Sequence, residues 1–369
     1  MMQMEYTTLD KISENLDSKR KPITSSDRVE GKIPYYGASG IVDYVKDYIF
    51  DESLLLVSED GANLLARSTP IAFSVTGKTW INNHAHVLRF SNENLQKFVE
   101  IYLNSISLES YVTGSAQPKL NQKMLNGIPI PVVDDSQIEI IVNSVENLKS
   151  IIELRKQELA CLDDLIKARF VEMFGDPVSN SYGLPEATLP ELGEFGRGIS
   201  KHRPRNDPKL LGGGYPLIQT GDVAKAGLYI TSYNSTYSEL GLRQSKMWKK
   251  GTLCITIAAN IAKTAILTFD ACFPDSVVGF TANEKTNNIF IHYWFLFFQT
   301  ILESQAPESA QKNINLKILS ELRVIVPKKE KQDEFVDFIH QVDKSKVVVQ
   351  KALDETQILF NSLMQQYFG

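Results

Sequence analysis

One unit is written twice along this chain, and that repetition constrains the fold more than any other feature. Ser115-Ala116-Gln117-Pro118-Lys119-Leu120-Asn121 stands against Ser309-Ala310-Gln311-Lys312-Asn313-Ile314-Asn315, at an offset near 194 residues. Both runs lead through Leu125 or Leu319 into a short β-like segment, Ile128–Val132 or Leu322–Pro327. Upstream, Gly31-Lys32-Ile33-Pro34-Tyr35-Tyr36 echoes Gly213-Gly214-Tyr215-Pro216-Leu217-Ile218; downstream, Gln137–Val142 echoes Gln332–Val336. Matches that keep their order imply a duplicated module. Two linked copies approximate a two-fold axis, which suits a partner that is itself split in two, such as a duplex with separated half-sites.

Each copy ends in a long amphipathic stretch. Apolar residues recur at Ile138, Ile141, Val145, Leu148, Ile152, Leu159, Leu162 and Ile166, and again at Phe335, Ile339, Val342, Val349, Leu353, Phe360, Leu363 and Tyr367. Arg155, Lys346 and Thr356 interrupt the pattern. Alternating steps of three and four without Pro or internal Gly are a coiled-coil signature. About 39 residues at 1.5 Å each make a helix roughly 58 Å long. Gly175-Asp176-Pro177 stops the first helix.

Between these stretches, short β-like runs are broken by Gly, Asn and Pro. Ser53–Ser58, Ala85–Phe90 and Thr252–Ile257 read as strands; helical stretches follow near 94–112 and 290–304. The expected fold class is α+β: two similar globular modules joined by two long antiparallel coiled-coil helices, a pseudo-two-fold internal repeat. The expected division is a first module over 1–135, a central helix over 136–176, a second module over 177–328 and a C-terminal helix over 329–369.

The 369 residues leave room for two or three cores, and 43% apolar with 22% charged residues is ordinary for a globular chain. No run of 18 apolar residues predicts a membrane span, and the N-terminus has neither the basic nor the apolar region of a signal peptide. Cys161, Cys254 and Cys272 are odd in number and lack metal-type spacing, which fits a reducing cytoplasm. Net charge is −5, yet 13 basic against 17 acidic side chains lie in residues 1–135, and 16 against 12 in residues 177–328. A nucleic-acid binder needs a local basic face, not a basic total.

Motifs for covalent chemistry fail on inspection. Thr76-Gly77-Lys78-Thr79 resembles the end of a phosphate-binding loop, but Ala72 stands where that loop needs its first glycine. His84 and His86 share one strand face without a further ligand pair, so no metal is expected. The run Tyr293–Phe298 reads as core. Two polar clusters are better candidates for recognition, because Arg and Lys pair with guanine edges or phosphates and Asn and Gln with adenine. In the first module these are Lys19, Arg20, Lys21, Tyr35, Tyr36, Lys78, Asn82, Asn83 and His84, with Gln117 and Lys119 near its end. In the second they are Lys201, His202, Arg203, Arg205, Gln219, Thr220, Arg243, Lys246 and Asn260, with Gln311 and Lys312.

Taken together, several segments resemble the specificity (S) subunit of type I restriction–modification systems over nearly the whole chain. They are Gly31–Gly40, Gly114–Leu120, Phe170–Pro177, Lys201-His202-Arg203-Pro204 and Tyr215–Val223. Lys312 in place of Pro118 is a departure between the two copies. The resemblance implies two target recognition domains, each reading one half of a split, asymmetric double-stranded DNA sequence. It implies helices that set the gap and dock two methyltransferase (modification) subunits, with a restriction/translocase subunit as a further partner. S-adenosylmethionine and ATP then belong to the partners, and this chain carries no catalytic residue and no cofactor. A stand-alone two-headed DNA-binding regulator, and a nucleotide hydrolase built on Gly77-Lys78-Thr79, are the competing expectations.

Overall fold

The structure is a computed structural model, and it describes residues 5–114, 117–258, 261–305 and 314–369. Four helices longer than ten residues lie among them: α1 (Glu93–Ser105), α2 (Asp135–Phe174), α3 (Asn288–Gln305) and α4 (Lys329–Phe368). The chain divides into two compact units, residues 1–156 with 351–369, and residues 157–350. Each unit therefore takes one half of α2 and one half of α4, where the sequence suggested separate spacer segments. The reason is burial: the apolar stripes of the helices join the module cores.

In the first unit, an antiparallel sheet has the strand order Glu14–Asn15, Ala85–Arg89, Leu54–Ser58, Ala72–Val75. A second sheet runs Gly40–Val45, Glu30–Gly37, Lys78–Ile81, Phe50–Asp51, with a parallel pair at its centre. Leu54–Ser58 is buried on both faces. Successive strand residues point to opposite sides, so Leu55 and Val57 join the cluster under the helices while Leu54 and Leu56 join the cluster containing Phe50, Ile81 and Val87. Ile138, Ile141, Val142 and Val145 of α2 enter the former cluster together with Phe360, Leu363 and Phe368 of α4.

The second unit repeats this plan. One sheet has the order Gly193–Arg197, Val277–Ala282, Leu253–Thr256, Thr264–Leu267, Tyr229–Ile230; the other runs Ser235–Tyr237, Leu211–Leu217, Ala271–Cys272, Met247–Trp248. Leu253 and Ile255 face the helices, and Cys254 faces the opposite cluster. The units differ in the connection between the first two strands of the second sheet. Gly37 and Gly40 close a tight hairpin in the first. In the second, the helix Thr220–Lys225 and the strand Tyr229–Ile230 intervene, adding a fifth strand.

The helix halves pack antiparallel in the second unit: Phe170 meets Phe335 at 5.3 Å, Arg169 reaches Glu334 at 3.3 Å, and Lys346 pairs with Asp163. Of the seam positions, Ile141, Val145, Ile152, Ile166, Phe335, Ile339, Val342 and Val349 are buried; Leu148, Leu159, Leu162, Leu353, Phe360 and Leu363 are half-buried. Two of the interruptions have local partners. Lys346 makes its cross-helix ion pair, and Thr356 Oγ1 donates to the carbonyl of Ala352 at 2.7 Å. Gly175 ends α2 at φ +74, its N–H donating to Val171 at 2.8 Å, the left-handed cap that favours glycine.

The repeated Asn at the end of each matched run caps a short helix. Asn121 accepts from the N–H of Met124 at 3.0 Å, and Asn315 from that of Ile318 at 2.9 Å. The stretch expected as helix to 112 stops at Ser105, and the Arg67 guanidinium holds the carbonyls of Leu103 and Ile106 there. Gly77, at φ +72, turns between strands of the two sheets with open space where a Cβ would lie. A strand–turn–strand setting is not the strand–loop–helix of a phosphate loop. Of the run 293–298, Tyr293, Trp294 and Phe295 are buried, and Leu296 is exposed.

Candidate nucleic-acid interface

In the first unit the polar side chains gather where strand Leu54–Ser58 ends and strand Ala85–Arg89 begins. Arg20 donates to the Glu59 carboxylate at 2.6 Å and to the carbonyl of Ala85 at 2.7 Å. Lys119 pairs with the other Glu59 oxygen at 3.1 Å. His86 is buried, with Nδ1 at 2.6 Å from Asp17 and Nε2 at 2.7 Å from the carbonyl of Leu120. Outside it, His84 Nδ1 lies 2.9 Å from Asp60. Burial pushes the Asp17 carboxyl up, but the His86 hydrogen bond and charge outweigh it and hold the group below its ordinary range. Glu59 behaves alike: burial raises it, and Arg20 and Lys119 bring it down.

This network changes the standing of several sequence candidates. Arg20 is committed to Glu59 and to backbone carbonyls, so it braces the loop and is not free for DNA. Tyr35 is 1% exposed, its hydroxyl accepting from the N–H of Ile23 at 3.0 Å with Arg28 over its ring at 4.5 Å. Asn82 is buried and accepts from the N–H of His84 at 2.8 Å. Burial takes Tyr35 and Asn82 out of any surface that could meet a base. Tyr36 is half-buried beside Phe73, and burial with the neighbouring Tyr44 raises its hydroxyl pKa. Lys19, Lys21, Lys78, Asn83, His84, Gln117 and Lys119 remain exposed, Lys78 over the Tyr48 ring at 4.7 Å. His84 and His86 do not converge, each having its own carboxylate. Asp17, Glu59 and His86 bring ligand-type atoms within 4.8 Å of one another. Arg20 and Lys119 already sit on Glu59, so a metal ion there would compete with both.

The second unit presents a different set at the corresponding end. Gln244 Oε1 accepts from the N–H groups of Lys201 and His202 at 2.7 and 3.0 Å, pinning the loop that follows strand Gly193–Arg197. His202 Nε2 lies 3.1 Å from Asp207. Arg203 donates to Asp275 at 3.3 Å and to the carbonyls of Ser200 and His202, and Arg205 pairs with Asp275 too. Lys201, His202, Arg203 and Arg205 are all exposed. Gln219 is exposed; its N–H donates to Asp222 at 2.8 Å at the start of the helix that contains the half-buried Thr220. Arg243 is exposed at the end of a short helix, and Lys246 reaches Glu194 at 3.4 Å and lies 3.8 Å over the Trp248 ring. Asn260, Gln311 and Lys312 lie outside the described residues.

Asp17, Glu59 and Asp275 carry no sequence signal for this site, since isolated acids do not mark a basic face, and Arg197 is a lone cation at a strand end without a neighbouring basic run.

The profile of the type I restriction modification DNA specificity domain matches residues 1–163 and matches again over 186–356. The chain belongs to the type I restriction–modification specificity family. A putative type I restriction enzyme specificity subunit of Haemophilus influenzae is 27% identical over 349 residues, 92% of this chain and 88% of that relative. The fold is shared with the S subunit of a type I restriction–modification system from M. genitalium, at TM-score 0.63 and 14% identity over 100% of this chain and 96% of the other. It is shared equally with a chain solved in work on complex assembly and conformational transition of the type I system, at TM-score 0.62 and 14% identity over 100% and 98%. The two family matches coincide with the two occurrences of the paired-sheet module. Among the described residues, no helix of this specificity chain is long and apolar enough to cross a membrane.

Proposed function

We propose that this specificity subunit reads a bipartite double-stranded DNA target, one half through each module, and that its helices set the gap and dock two methyltransferase subunits. The observation that carries this reading is the same fold built twice with unlike polar ends. Structurally equivalent positions hold Asp17, Glu59 and His86 in one unit and Arg197, Ile257 and Val278 in the other, as the backbone pairings fix. Equal scaffolds with unequal surfaces suit two unequal sequences, because phosphate contacts position a reader and base contacts specify.

Large apolar side chains left exposed on the helices support a protein partner there. On the two long helices they are Ile140, Ile151, Leu154, Ile358 and Leu359 in the first unit and Leu165, Val171, Val347 and Val348 in the second. Exposed apolar patches mark interaction surfaces. In this reading the chain itself is non-catalytic, S-adenosylmethionine and ATP are used by the partner subunits, and a restriction/translocase subunit joins the same assembly.

Methylome sequencing of a host expressing the chain with its cognate methyltransferase tests the proposal. The expected outcome is methylation at one split, asymmetric motif. A contiguous motif, or methylation unchanged when this chain is withdrawn, would count against it.

A further inference from the structure

The two modules treat one position in opposite ways. The N–H of Glu59 donates to the carbonyl of His84 at 2.9 Å, and that of Ile257 to Ser276 at 3.0 Å. The N–H of Leu120 donates to Glu59 at 2.8 Å, and that of Ile314 to Ile257 at 3.0 Å. These bonds make Glu59 equivalent to Ile257, His84 to Ser276 and Asn83 to Asp275. The ladders pair Asn15 with Leu88 and Leu55 with Leu88 in one unit, and Phe195 with Phe280 and Leu253 with Phe280 in the other. Two residues further along, Asp17 is therefore equivalent to Arg197.

In the first unit this place is filled: the Arg20 guanidinium occupies it, held by Glu59 and by the carbonyls of Asn83 and Ala85. In the second it is an open cleft of about 210 Å³ lined by Arg197, Arg205, Asp275, Ser276, Ile257 and Ala258. Arg197 makes no hydrogen bond or ion pair among the described residues, whereas Arg205 is braced by Asp275.

We propose that this cleft of the second module reads a G·C base pair, with Arg197 as its specificity-determining residue. The inference rests on the reading of that module as a DNA reader and deepens it. The lining mixes donors with an acceptor. A phosphate offers acceptors only and would leave the outward lone pairs of Asp275, a carboxylate already paired with Arg203 and Arg205, without a further donor. A G·C pair in the major groove offers the O6 and N7 acceptors of guanine beside the N4 amino donor of cytosine. The Arg197 fork donates to O6 and N7, Arg205 adds a second cation, and the remaining lone pairs of Asp275 accept from N4. The guanidinium fork is what a lysine cannot reproduce.

The test uses the full chain assembled with its cognate methyltransferase, with target motifs and methylation rates read by sequencing and on synthetic duplexes. Arg197→Gln is expected to relax one G·C position in one half of the motif, lowering the rate on the original duplex relative to its substituted versions by roughly five- to a hundredfold. Arg205→Gln is expected to alter the same half. Arg197→Lys is expected to relax the same position while retaining the salt dependence of binding. A uniform loss over all duplexes in Arg197→Gln marks a phosphate contact, and rescue of full specificity by Arg197→Lys shows that no guanidinium fork is used; either overturns the assignment. An unchanged motif and rate in Arg197→Gln overturns the inference while leaving the bipartite reading intact. A wild-type complex without any defined motif overturns both. Arg197 is exposed at a strand end, so thermal melts of the variants serve as the folding control.

Discussion

The buried ionisable groups of the two units make acid sensitivity a residue-scale signature. His292 lies between α3 and strand Thr264–Leu267 with Nδ1 2.9 Å from Thr264 Oγ1, and burial pushes its pKa down to about 4, with Lys346 adding to the shift. A histidine depressed in the folded state takes up its proton more readily when unfolded. Its contribution to stability is therefore complete above about pH 6.5 and is lost as pH falls toward about 4. Asp17 and Glu59 act in a lower window: their carboxyls lie below the ordinary 3.8 and 4.5, so the stability they supply is present above those values and disappears on further acidification. Urea midpoints measured from pH 8 to 3 should fall between 6.5 and 4 in the wild type and fall less in His292→Gln. Asp17→Asn should leave that slope unchanged and flatten the one below pH 4. A His292→Gln profile parallel to the wild type would mean that the ring is not the group titrating. The sequence shows these residues but not their company. Residues 17, 59 and 86 meet only through the ladder of the first sheet, and Arg20 and Arg205 sit in equally basic runs although one is half-buried in its network and the other pairs with Asp275 while exposed.

At the scale of elements, period decided what could be read. The apolar steps of α2 and α4 are long and regular, and the structure runs each as one helix, Asp135–Phe174 and Lys329–Phe368. The modules were legible only as α+β, because strands of two to eight residues carry too little pattern to give sheet order. The connection containing Thr220–Lys225 and Tyr229–Ile230 left no readable trace. What the period did not reveal is that Ile166, Phe170 and Phe335 belong to the module core as well as to the helix seam. Phe170 has no exposed surface; it stacks on Phe290 and meets Phe174 and Phe335 edge to face, with ring centroids 5.0 to 5.4 Å apart. Phe170→Ala should cost about 3–5 kcal/mol, a loss seen in chemical unfolding. The two equivalent caps offer a gentler comparison: Asn121→Ala and Asn315→Ala should each cost about 1 kcal/mol. A cost near zero at one of them would show that its helix is held by packing alone.

For the whole molecule, the proposed bipartite reading makes the helices the part to lengthen while both modules keep their sequence. The units part at Lys156 and Gln157 in α2 and at Gln350 and Lys351 in α4, so an insertion at both points interrupts neither unit. The number of residues matters. Seven residues advance a helix by about 10 Å and return its face to within about 20°, so each helix keeps its apolar positions on one face. Four residues added to each helix would turn its face by about 40° past one full turn and interrupt the heptad pattern locally. One heptad in both helices should therefore widen the unread gap by about three base pairs, at 3.4 Å per pair, and leave the bases of both half-targets as they were. Methylation mapping of the heptad variant with its methyltransferase decides the matter. A widened gap with unchanged halves makes the helices a ruler; altered half-targets or an unchanged gap would show that spacing is set elsewhere in the assembly.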